Sequence, residues 1–156
     1  LEKGDNLLDI GCGEGSLLLM AKNKYTNLYG VDIDTYRLEV ARKNFKKEKI
    51  ENKVILKVKN INEGLGFENN FFDAVTIIAT LPFIYDPFFV IQEINRVLKD
   101  EGILVVQVSN IAYIKHRMKL LFGKLPITTH PYNLDNWEEL GWDRGALHYF
   151  TISSLR

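Results

Sequence analysis

The sequence predicts an α/β fold, a doubly wound parallel sheet of five strands covered by helices on both faces. Three observations lead there. Five short apolar or β-branched runs alternate along the 156 residues with segments of helical spacing. A glycine-rich turn carries the first run directly into a helix. An acid, Asp32, closes the second run twenty-one residues after Gly11, the first glycine of that turn.

The strands are read at residues 6–10, 28–32, 54–59, 72–80 and 102–109, each bounded by Gly, Asn or Asp. Between them, Leu38, Ala41 and Phe45 form one apolar stripe at helical spacing, and Ile91, Ile94 and Leu98 form another. Ser16 stands where the first helix needs an N-cap, Asp34 caps the second, and Asp86-Pro87 places proline at the first position of the third. Residues 60–70 are Asn-rich with two glycines and no stripe, so this crossover is a loop or a single turn. Strands alternating with helices imply right-handed crossovers and a parallel sheet.

With 46% hydrophobic and 26% charged residues, the chain has the balance of one soluble globular domain able to bury a core. Twenty basic residues offset twenty acidic ones, which gives no global field to attract nucleic acid or an anionic surface, so charge arguments must be local. The one cysteine, Cys12, excludes an internal disulfide framework, and no apolar run has the length of a membrane span. A cytoplasmic location is the expectation. Residues 1–156 are read as the core of one domain cut at both ends, since Leu1 lies just before the first strand and Arg156 in the first turn of a helix.

Leu7-Leu8-Asp9-Ile10-Gly11-Cys12-Gly13-Glu14-Gly15-Ser16 runs from a buried strand into a helix. Its glycines let the backbone turn tightly and approach a ligand, and the amides of the helix start face that ligand. Asp32, at the next strand end, is placed to accept both ribose hydroxyls of a nucleoside. A dinucleotide satisfies the same geometry.

The segment Leu8 to Gly15 resembles motif I of class I S-adenosylmethionine (SAM)-dependent methyltransferases, and Gly30-Val31-Asp32-Ile33-Asp34 resembles the acidic motif that follows it. Phe71-Phe72-Asp73-Ala74-Val75, Asp86-Pro87 and the run from Glu93 to Gly102 resemble the family's fourth strand, next helix start and turn into strand five. The stretch from Val108 through Leu121 to Thr151 is similar to the methyltransferase type 11 or MetW-like group associated with methionine biosynthesis. The resemblance implies a Rossmann-like sheet ordered 3-2-1-4-5, without the terminal antiparallel hairpin of the full fold, and SAM as cofactor.

By that resemblance Gly11, Cys12 and Gly13 hold the methionine end, with Asp9 fixing the loop and Cys12 a small residue that leaves space. Asp32 holds the ribose, Ile33 packs on the adenine face, and Asn60 and Ile61 meet the adenine edge. Asn60 stands where many relatives carry an acid, and its side-chain carbonyl is expected to accept from the adenine amine instead. Ala79, Leu81 and their neighbours to Phe83 line the space near the methyl, yet Pro82-Phe83 replaces the Glu-His of many relatives. No catalytic residue is assigned, and no metal is implied.

A sulfonium leaving group needs little acid or base help, so the missing residues do not count against transfer. A hydroxyl acceptor would use a base, for which Tyr85, His130, Asp143 and His148 are the candidates, packing or capping being the simpler role for each. Residues 102–134 contain no acid but carry Lys115, His116, Arg117, Lys119, Lys124 and His130. Ile111, Ile114, Met118 and Leu121 recur at helical spacing, which predicts an amphipathic helix over 111–122 with its cations outward. That helix is either a solvated face, a cover whose cations meet an anionic small-molecule acceptor beside residues 79–83, or a membrane-surface or partner-docking element. Nucleic acid is not expected as a partner. Two rival functions remain: a non-catalytic SAM-fold subunit acting through a partner protein, and an NAD(P)-dependent oxidoreductase, whose fingerprint wants glycine or alanine at Ser16.

Overall fold

The computed structural model describes residues 2–124, 126 and 146–155. Two compact units are formed, one by Leu1–Thr80 with Ile84–Gln107 and the other by Leu81–Phe83 with Val108–Arg156.

The first unit is built on β1 (Gly4–Ile10), β2 (Tyr25–Asp32), β3 (Val54–Val58), β4 (Phe72–Ile78) and β5 (Leu98–Gln107), with helices α1 (Ser16–Ala21), α2 (Thr35–Lys47) and α3 (Pro87–Val97) in the crossovers. The sheet order is β3-β2-β1-β4-β5 and every pair is parallel, as the sequence predicts. Leu7, Leu8, Asp9 and Ile10 are consecutively buried, the pattern of a central strand covered on both faces. Leu38, Ala41 and Phe45 of α2 bury the predicted stripe against Leu7, Leu18 and Leu28. Asp73 Oδ2 accepts the Asp5 and Asn6 amides at 2.9 and 2.7 Å, and Lys99 Nζ lies 2.6 Å from Oδ1. That carboxylate therefore ties the starts of β1, β4 and β5 together.

Several expected boundaries move. Gly15, in the left-handed region at φ 80°, is the N-cap of α1, and Ser16 is its first helical residue. A chain leaving a tight glycine turn reaches helical geometry one residue sooner than a serine cap requires. Asp34 and Asp86 do cap, accepting the amides of Arg37 and Phe89, and Pro87 opens α3. The buried stripe of α3 is Val90, Ile94 and Val97, while Ile91 is 37% exposed and Leu98 begins β5. Leu98 pairs with Phe72 before a register shift that resumes at Ala74 opposite Ile103, so β5 starts four residues earlier than its polar Lys99-Asp100-Glu101 suggests. Residues 60–70 hold one short 3₁₀ turn, Ile61–Glu63. It is tied to α3, because Glu93 Oε2 accepts the Leu65 amide at 3.0 Å and Arg96 pairs with Glu93 while donating to the Phe67 carbonyl.

In the second unit the Pro82 carbonyl accepts the Leu147 and His148 amides at 2.8 and 3.2 Å. Asn110 bridges Phe150, and α4 (Ile114–Leu121) follows. The predicted helix over 111–122 is thus shorter by a turn at its start. Its apolar side is not packed inward, because no residue of α4 is buried. Among the described residues, no helix is long and apolar enough to cross a membrane.

Candidate cofactor site

The carboxyl ends of β1, β2, β3 and β4 lie side by side, and the chain order reverses between β1 and β4. In parallel α/β sheets that reversal opens a crevice where the loops diverge. Residues 11–15 enter it under backbone constraint. Gly11 N–H and Cys12 N–H both donate to the Val31 carbonyl, at 2.8 and 3.1 Å, which fastens the loop to the end of β2. Gly11 and Gly13 take φ of 72° and 50°, a region that penalises a Cβ. A Cβ on Gly11 would also overlap the Thr80 hydroxyl, and one on Gly13 the Arg37 guanidinium.

Asp32 sits at the centre of this edge, 8% exposed. Its Oδ2 accepts the Gly13 amide at 2.7 Å and its Oδ1 the Asp34 amide at 2.9 Å. A carboxylate offers about four acceptor positions, so two are left after these bonds, matching the two hydroxyls of a ribose. Asp9 is buried below the loop, with Thr76 Oγ1 donating to its Oδ1 at 2.7 Å. Burial raises its pKa to about 7, the Thr76 bond opposing and the nearby Asp32 adding to the shift. Cys12 is also buried, and burial followed by the charges of Asp9 and Asp32 pushes its thiol up to about 12. It stays protonated at neutral pH and is no nucleophile.

Ile33 is 67% exposed beside Asp32, as a side chain lining an open crevice would be. Asn60 and Ile61 stand at the end of β3, but the expected free carbonyl of Asn60 is not found. Its Oδ1 caps the following turn by accepting from Asn62 N and Nδ2 at 3.2 and 3.0 Å, while its Nδ2 donates to Glu63 Oε1 at 3.0 Å. Asparagine before a turn satisfies its own backbone first. Ala79 follows β4 with φ 54°, an unfavourable conformation for a residue with a Cβ, held by the hydrogen bond its N–H donates to the Gln107 carbonyl at 2.9 Å. Leu81 is buried in the second unit.

The sequence singles out neither Thr76 nor Arg37, which carry no motif and become visible only when β4 and α2 are laid beside the glycine loop, whereas Thr80 falls within the stretch 79–83 expected near the methyl. Of the four candidate bases, Tyr85 is 81% exposed in the first unit and His148 lies in the second, its ring 6.4 Å from Phe150. His130 and Asp143 lie outside the described residues. No group of three potential metal ligands gathers among the described residues.

A family profile described as a methyltransferase domain matches residues 8–106, from β1 to the end of β5. The chain belongs to this family. As a methyltransferase domain of the SAM-dependent kind, it takes SAM as its cofactor. It is similar to the ubiquinone biosynthesis O-methyltransferase of Actinobacillus pleuropneumoniae serotype 7, 28% identical over 98% of this chain and 66% of that protein. It is also similar to the ribosomal protein L11 methyltransferase of Thermotoga neapolitana, 30% identical over 76% of this chain and 41% of that protein. The methyltransferase domain thus spans less than two thirds of either relative's length. Among solved structures, the [4+2]-cyclase SpnF superposes with a TM-score of 0.62 at 30% identity, over 68% of this chain and 39% of that one.

Proposed function

We propose that this domain transfers the methyl group of SAM to a small-molecule acceptor, with the cofactor held at the carboxyl edge of β1, β2 and β3. The observation that carries the reading is Asp32: a buried carboxylate bonded to the tip of the glycine loop, with acceptor positions remaining for a ribose. Gly11, Cys12 and Gly13 give the methionine end close backbone approach, and Asp9 with Thr76 supports the loop from below. Ile33 supplies an apolar surface for adenine. With Asn60 committed to its turn, Ile61 and the backbone at the end of β3 meet the adenine edge.

When bound, SAM supplies an activated sulfonium leaving group, so the chain's own work is to position the acceptor and exclude water. Ala79 and Thr80 stand at the end of β4 beside the loop, Thr80 touching the space above Gly11. An acceptor whose attacking atom is unprotonated at neutral pH needs no base from these residues. The relatives' names span a quinone precursor pathway and a ribosomal protein, so acceptor identity is not carried over by family membership.

The test is incubation with methyl-labelled SAM and fractionated small metabolites, followed by mass spectrometry. Labelled product together with S-adenosylhomocysteine is expected. SAM binding without turnover on any fraction would favour the reading of a non-catalytic subunit acting through a partner protein.

A further inference from the structure

Helix α4 turns outward the face that a packed helix hides. Successive residues step about 100° around a helix, which places Ile114, Met118 and Leu121 in one stripe about 60° wide. These side chains are 61%, 45% and 74% exposed, and Phe122 continues the stripe at 71%. A shallow open depression of about 650 Å³ runs along it, bounded by Lys115 and Lys124 as well as by Ile114, Met118 and Phe122. Cations border the stripe on both sides. By the same geometry Lys115 lies about 60° beyond Met118 and Arg117 about 40° beyond Leu121. The opposite side is fixed inward, since His116 is half-buried with Nδ1 3.2 Å from the Asn110 carbonyl and its ring edge-on to Tyr113.

We infer that α4 is an interfacial helix that lays this stripe on the surface of an anionic lipid bilayer. The apolar side chains enter the boundary between headgroups and acyl chains, and Lys115, Arg117 and Lys124 reach sideways to the phosphates. Charge complementarity selects this occupant. From residue 102 to 134 the sequence has no acid, in a chain whose overall charge is balanced, so α4 and the residues flanking it in sequence carry positive charges only. Cations on both rims of an apolar stripe match a plane of headgroups lying on either side of it. The groove of an acidic protein would instead call for carboxylates at a few fixed points. No residue of α4 is assigned to the cofactor, so the inference stands independently of the cofactor reading.

Sedimentation with vesicles of phosphatidylcholine, with and without phosphatidylglycerol, tests it. The chain is expected to bind only the anionic vesicles, and to release them as salt rises. Combined Lys115→Gln, Arg117→Gln and Lys124→Gln should weaken binding on the order of a hundredfold, from about fivefold for each cation near an anionic surface. Met118→Ser with Leu121→Ser should weaken it about tenfold or more. Both variants carry exposed substitutions and should keep the circular dichroism spectrum and SAM affinity of the parent. No binding to anionic vesicles at low salt overturns the inference, as does retention of full affinity by either variant. Absence of vesicle binding alongside a tight complex with an acidic helical peptide would assign α4 to a protein partner instead.

Discussion

Replacing Asp32 by alanine should damage the loop and the cofactor site together, and the two effects can be separated. In the folded protein its carboxylate accepts the Gly13 amide at 2.7 Å and the Asp34 amide at 2.9 Å. The Gly13 bond is buried, so its loss leaves a donor without water and costs about 1 to 3 kcal/mol of stability. The remaining acceptor positions are those assigned to the ribose. Losing charge-assisted bonds there costs a further 1 to 3 kcal/mol of binding, about 5- to 150-fold in Kd. Urea unfolding reads the first effect and calorimetric titration with S-adenosylhomocysteine the second. A 2′,3′-dideoxy analogue distinguishes ribose contact from general loosening of the loop. Wild type should prefer the natural ribose, and Asp32→Ala should bind both ligands alike. A folded Asp32→Ala protein with unchanged affinity for S-adenosylhomocysteine would refute the assignment of Asp32 to the ribose.

Two other expectations concern the same loop. Burial raises the Asp9 pKa from 3.8 in the unfolded chain to about 7, so its contribution to stability is full below pH 4 and is lost as pH rises through 7. Between pH 5 and pH 8 this amounts to about two units of differential protonation, or about 3 kcal/mol. Asp9→Asn should flatten that part of the pH dependence in urea titrations, and an unaltered slope would show that Asp9 ionises freely in the folded state. Gly11→Ala forces an L side chain into φ 72° against the Thr80 hydroxyl, and should lower stability by at least about 1 to 2 kcal/mol. An equal urea midpoint for Gly11→Ala would contradict the loop geometry.

Most of the sheet was legible because its signals are local. Apolar runs mark β1, β2 and β4, and the capping aspartates 34 and 86 act within three residues of themselves. Legibility fell where a distant partner decides. Leu98 reads as the end of a helical stripe, yet pairing with Phe72 draws it into β5 across a bulge, and no local pattern encodes that. Asn60 reads as an unoccupied acceptor in a linear motif, whereas the turn that follows claims its carbonyl. The periodicity of α4 was legible and the choice among its roles was not: spacing tells that a stripe exists, while only the packed chain tells which side is covered. Asp9 shows the same division. Its place in the motif is plain from sequence, but its raised pKa follows from burial and from Asp32, twenty-three residues further along the chain and folded back to the same strand edge.

Titration of the wild-type chain with SAM, and in parallel with NAD⁺, tests the account most directly. The geometry of Asp32 and the glycine loop, together with membership of the methyltransferase family, predicts saturable SAM binding with one site per chain and no heat from NAD⁺. A folded protein that binds NAD⁺ and ignores SAM would contradict it.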